Sequence, residues 1–183
     1  DPATWTAQGL VDMLIATSFL VTDNDIPVNE LRTLLKERPV PVYADIEMGH
    51  GIQQHNPESL RATALSLYEH GADGLYLFNF PCWQEYLSAR PYHWLVDLAS
   101  PQAAARKPLL FSVKDQLHRI DKIDMPGCLP VELEAGAAVE FPLYIPSTAL
   151  PAWRCLVHID AGGDVVLAVN GAPAVELPGQ RRP

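Results

Sequence analysis

Three residues able to do chemistry alternate along one short apolar run. In residues 41–51, PVYADIEMGHG, Tyr43, Asp45 and Glu47 are spaced two apart, and His50 follows in a Gly-His-Gly turn. Residues i and i+2 of a strand share a face. Tyr43, Asp45 and Glu47 therefore point one way, and Val42, Ala44, Ile46 and Met48 the other. Two carboxylates on one face fit acid/base work on a glycosidic bond, where one acid donates a proton and the other is nucleophile or base. Their Cα atoms would lie about 6–7 Å apart, with Asp45 deeper. Glu47, near the strand's C-terminal end, is the first catalytic candidate and Asp45 its nearest partner. Asp23, Asp25 and Glu85 are loop alternatives for that partner. Glu47 suits a structural role, as a buried ion-paired group, as well as a catalytic one, whereas Asp45 reads first as a structural acid.

A second run, DGLYLFNF over residues 73–80, puts Leu75, Leu77 and Asn79 on one face and Tyr76, Phe78 and Phe80 on the other. Asn79 ends the run, where an amide can bind a sugar hydroxyl, orient a carboxylate or simply close the strand. Trp83 follows. Its ring suits stacking on a sugar and suits core packing as well. Tyr43 and His50, on and just past the acidic strand, complete the candidate substrate contacts. His50 and His55 share a loop without a third spaced ligand, so they read as a solvent-exposed pair rather than a metal site. There is no GxSxG nucleophile elbow, and no cysteine stands in a nucleophile context. Neither GxGxxG nor GxxxxGK occurs, and no cofactor is implied.

The totals exclude several classes. A formal charge of −9 with only 13 Lys and Arg argues against nucleic acid, whose phosphates need clustered cations. Cys82, Cys128 and Cys155 are scattered, with no CxxC, and do not settle the compartment. No run is long and apolar enough for a transmembrane helix, and no signal-peptide pattern is visible. The chain opens at Asp1-Pro2 in what reads as the middle of a fold, so a signal would sit in a segment upstream.

The elements that must position these residues alternate over the first hundred positions. Helical patterns cover 1–9, 27–38 and 57–70, the last capped by Asn56, begun by Pro57 and ended by Gly71. Strand patterns cover 11–17, 42–48 and 73–80. A further helical stretch over 86–98 is interrupted at Pro91, and 101–107 reads as a linker. Strand–helix alternation implies parallel strands with right-handed crossovers, and the lack of a phosphate loop favours a barrel-type arrangement. Beyond the linker come short apolar runs at 109–113, 131–133, 138–145, 154–159, 165–169 and 174–177. Asn170-Gly171 between two of them is a strong hairpin signal. The expected fold class is thus α/β followed by all-β: a partial (β/α)8-type barrel of about three βα units over 1–103, then a small antiparallel β-sandwich over 104–183.

Three stretches carry a family likeness: GLVDMLIATSF (9–19), PVYADIEMG (41–49) and LRATALSLYEHGADGLYLFNF (60–80). They resemble the C-terminal strands of bacterial barrel proteins of the glycosyl-hydrolase-like, family-10-like group, which often carry an appended sandwich. The resemblance implies a TIM barrel with 11–17, 42–48 and 74–80 as its sixth, seventh and eighth strands. It implies action on an oligo- or polysaccharide, with Glu47 where many retaining barrel glycosidases place a nucleophile. A glycosidase would favour a secreted or periplasmic location, which the sequence itself leaves open. The first five strands and the fourth-strand acid have no counterpart, so the missing barrel half or a second copy of the chain is an implied partner. The rival expectation is a non-catalytic carbohydrate-binding or structural module, with Trp153, Tyr144 and Asn170 of the sandwich as its contacts.

Overall fold

Asp1 caps the first helix, α1 (Pro2–Ala7), its carboxylate accepting from the Ala3 amide at 3.0 Å. The computed structural model describes residues 1–17, 26–36, 39–48, 56–78, 80, 92–113, 131–149 and 165–173. Strand β1 (Leu14–Ala16) is followed by α2 (Val28–Leu34) and β2 (Val42–Glu47), and then by α3 (Pro57–Glu69) and β3 (Gly74–Phe78). The start of α3 is held by a capping box: Asn56 accepts from the Ser59 amide at 2.7 Å, and Ser59 Oγ accepts from the Asn56 amide at 3.1 Å. Gly71, at φ +94°, closes its C-terminal end in the left-handed region.

The three strands form a parallel sheet in the order β1-β2-β3. Leu14 pairs with Val42, Asp45 with Tyr76 and Glu47 with Phe78. Helices α2 and α3 pack on one face of β2. Val28, Leu35, Leu60, Ala64 and Leu67 pack there with Val42, Ala44 and Ile46 in a continuous core. The even-numbered residues of β2 are consumed by that core, which leaves Tyr43, Asp45 and Glu47 on the other face.

Polar clamps set the strand entries. Asp73 Oδ2 accepts from the Val42 amide at 2.8 Å and meets Arg32 Nη2 at 2.5 Å, while Arg32 Nε donates to the Gly71 carbonyl. Burial pushes the Asp73 carboxyl up, but the Val42 amide and Arg32 outweigh it and hold it below the usual aspartate range. Gly74 is the register partner of Tyr43, and a Cβ there would run into the tyrosine ring. Only glycine lets the ring lie against β3.

The stretch that reads as a linker is structured. A 3-10 segment, Tyr92–Leu98, leads into α4 (Pro101–Ala104), which Ser100 caps and which buries Ala104 against the core. Arg61, on α3 and only 4% exposed, fastens this region. Its Nη2 and Nε donate to the Pro108 carbonyl at 2.8 and 3.2 Å, and its Nη1 lies 3.3 Å from Asp97. Lys107 meets the same carboxylate at 2.8 Å.

Glu69, the last residue of α3, holds a more distant segment. It accepts from Tyr144 Oη at 3.2 Å, from the Ser147 and Thr148 amides at 3.1 Å each, and from the Thr148 hydroxyl. Burial pushes this carboxyl up, but those donors prevail and hold it below the usual glutamate range. A lowered folded value contributes stability that is fully present above the ordinary glutamate pKa and lost as pH falls through the lowered one. Glu69→Gln should therefore destabilise the protein at neutral pH. The gap from the unchanged protein should narrow in acid, as pH falls through the lowered value and the wild-type carboxyl protonates. Urea unfolding at neutral and at acid pH reads this directly, and an equal gap at both would contradict it.

Two expectations are corrected. The described strands make an open three-stranded parallel sheet rather than part of a closed (β/α)8 barrel. The usual twist of about 20–25° between neighbouring strands does not bring β1 round to β3. The antiparallel sandwich is also replaced. Among the described residues, 109–113, 131–133 and 138–145 pair with no strand, and Leu109, Phe111 and Ile145 pack onto the helical core instead. The antiparallel structure among the described residues is a two-stranded ribbon, β4 (Ala168–Val169) and β5 (Ala172–Pro173). Asn170 and Gly171 join its strands at φ 50° and 79°, the two left-handed residues of a type I′ turn. The runs at 154–159 and 174–177 lie outside the described residues. The chain divides into two compact units, Asp1–Pro151 and Ala152–Pro183.

Candidate functional site

Strand β2 is buried on both sides, its even-numbered residues within the helical core. Asp45 is 5% exposed and Glu47 6%, on the face away from the core helices. Their register partners are Tyr76 and Phe78 of β3, whose rings lie 6.4 Å apart. Tyr76 is 44% exposed and, on β1, Ile15 is 40% exposed. The face thus holds two sunken carboxyl groups beside a half-open aromatic surface. Parallel strands are normally apolar throughout because both faces are covered, so two acids in the middle strand depart from what folding alone asks.

The two acids have different surroundings. Asp45 is tied to β1, its Oδ2 accepting from the Thr17 hydroxyl at 2.6 Å. Its Oδ1 is buried without a hydrogen-bond partner among the described residues. Burial pushes the Asp45 carboxyl above the usual aspartate range. The Thr17 hydroxyl opposes this, the Glu47 charge adds to it, and the Phe78 and Ile46 amides oppose it in smaller measure. Glu47 ends the strand, immediately before Met48, whose amide donates to the Phe78 carbonyl at 3.0 Å. The C-terminal end of the strands is where open parallel sheets bind ligands.

Of the residues singled out in the sequence, the fold brings Tyr43, Asp45 and Glu47 onto one face as their spacing requires. Asn79, Trp83 and His50 lie outside the described residues, as do Asp23, Asp25, Glu85 and Trp153. Two of the rival module's contacts have local roles. Tyr144 bonds Glu69 and stacks on His70 at 4.3 Å, and Asn170 forms the ribbon turn. Sequence reasoning missed Tyr76 and Phe78 as neighbours of the acids. The signal was present, because both belong to the face of 73–80 opposite Leu75 and Leu77. Which face joins which depends on inter-strand register, and that is visible only in the folded sheet.

Among the described residues no group of three or more His, Cys, Asp or Glu is placed to hold a metal ion. No helix there is long and apolar enough to cross a membrane. No family model matches the sequence, and no curated protein matches it either. The geometry of the sheet face carries the functional case.

Proposed function

We propose that the protein is a carbohydrate-active hydrolase in which Glu47 is the working carboxylate. The observation that carries this is a pair of buried carboxyl groups at the C-terminal end of a central parallel strand, beside an exposed aromatic ring. Hydrolysis of a glycosidic bond needs two carboxyl groups of different protonation. Burial favours the neutral form of Asp45, and Glu47 lies next along the same face. Glu47 acts on the bond from the strand end, and Asp45 below it limits the like charge that two adjacent carboxylates would build up. Tyr76 supplies a flat apolar face for a sugar ring and a hydroxyl for its edge.

Tyr76→Ala tests the sugar-binding part. Oligosaccharide affinity, read by calorimetric titration of the full chain, should weaken by about threefold to tenfold, the size of one lost aromatic stacking contact. Unchanged affinity would remove Tyr76 from the site.

A further inference from the structure

The proposed chemistry uses Glu47 and Asp45 and leaves the neighbouring strand idle, yet a short hydrogen bond to Asp45 comes from there. Thr17 directly follows β1. It is solvent-exposed, while the carboxyl group it binds is nearly sealed. A buried carboxyl group can turn about its final bond unless one of its oxygens is held firmly. A 2.6 Å bond to a hydroxyl on a different strand supplies that hold.

We infer that Thr17 is a positioning residue of the carboxylate site, its hydroxyl clamping Asp45 Oδ2 from β1 and so fixing the group that lies beside Glu47. The inference rests on the hydrolase reading for its functional meaning, but the clamp itself can be measured without a substrate. The other titratable groups on this face are Glu47 and Tyr43 of β2 and Tyr76 of β3. Within β1, Leu14, Ile15 and Ala16 bring no charge.

The test is a carbon-13 NMR titration of the Asp45 carboxyl in the full chain, for the wild type, Thr17→Val and Thr17→Ser. Valine keeps the shape and removes the donor, so the Asp45 midpoint should move up, because a hydrogen bond favouring the ionised form is lost. Serine keeps the hydroxyl and should restore the wild-type midpoint. If the midpoint is the same in all three, the clamp is refuted. A rise in Thr17→Ser without one in Thr17→Val would assign the effect to the threonine methyl and overturn it as well. Sugar release is then followed against pH in the same proteins. If the clamp acts on catalysis, the acid limb of the profile moves with the Asp45 midpoint in Thr17→Val and returns in Thr17→Ser. A wild type that releases no sugar, with the midpoint shifts present, would defeat the hydrolase reading and leave the clamp standing as structural.

Discussion

Glu47→Gln should lower glycoside turnover by at least about a hundredfold, the usual contribution of a single acid/base group. The substitution keeps the length and planar shape of the side chain and removes its ability to carry charge or accept a proton. Glu47 is buried in a well-packed strand pair, so a cruder change such as Glu47→Ala would mix catalytic loss with a cavity. The glutamine variant separates the two. Its melting temperature should stay near that of the wild type, because the side chain keeps its size and shape in the buried site. Full activity in this variant would return Glu47 to a structural role.

The largest effect on stability is expected at Arg61. This side chain is almost fully buried, yet its charge is met by the Pro108 carbonyl, Asp97 and, at 3.3 Å, Glu58. Arg61→Met keeps much of the apolar stem and removes every one of those bonds. The Pro108 carbonyl loses both of its guanidinium donors, and Asp97 retains only Lys107. Removing one partner of a buried ion pair costs about 3–5 kcal/mol. The lower end applies here, because the Asp97 side chain is 14% exposed and keeps one cation. A loss of about 3 kcal/mol corresponds to a fall in Tm of roughly 6–12 °C for a chain of this size. The loosening should centre on α4 and the segment to Phe111, so hydrogen exchange there should rise more than in β2. A Tm change below about 2 °C would mean that the arginine bonds merely replace equally good water bonds.

Asp97 shows why the cluster matters away from neutral pH. The Lys107 hydrogen bond, despite the opposing cost of burial, holds its carboxyl below the usual aspartate range. The stability it contributes is therefore present above the ordinary aspartate value and lost as pH falls through the lowered one. Glu69 and Asp73 carry the same sign, so acid weakens three separate ties of the first unit together.

Local chemistry was the most legible layer of the sequence. Asn56, Pro57 and Gly71 bound α3 because a side-chain acceptor, a fixed φ and a left-handed residue act within one or two turns of chain. Asn170-Gly171 announces its turn for the same reason. Period-2 alternation put Tyr43, Asp45 and Glu47 on one face, and the folded sheet keeps them there. What failed was longer in range. The alternating runs after residue 108 look like strands, but alternation does not say whether a partner strand exists. Leu109, Phe111 and Ile145 instead spend their apolar surface on the helices. Pro101 to Ala104 resembles a linker because it is short and alanine-rich, and its helix exists because Ser100 caps it and Ala104 fits against the core. The Thr17–Asp45 bond spans 28 residues, and no local pattern encodes such a distance.

The measurement that bears most directly on the central claim is reducing-sugar release by the full chain across a panel of polysaccharides and their oligosaccharides, over a range of pH. Release from at least one substrate, lost when Glu47 becomes glutamine while Tm holds, is the predicted result. No release from any substrate by a folded protein would contradict it, and the acids of PVYADIEMGHG would then be structural groups of an unusual parallel sheet.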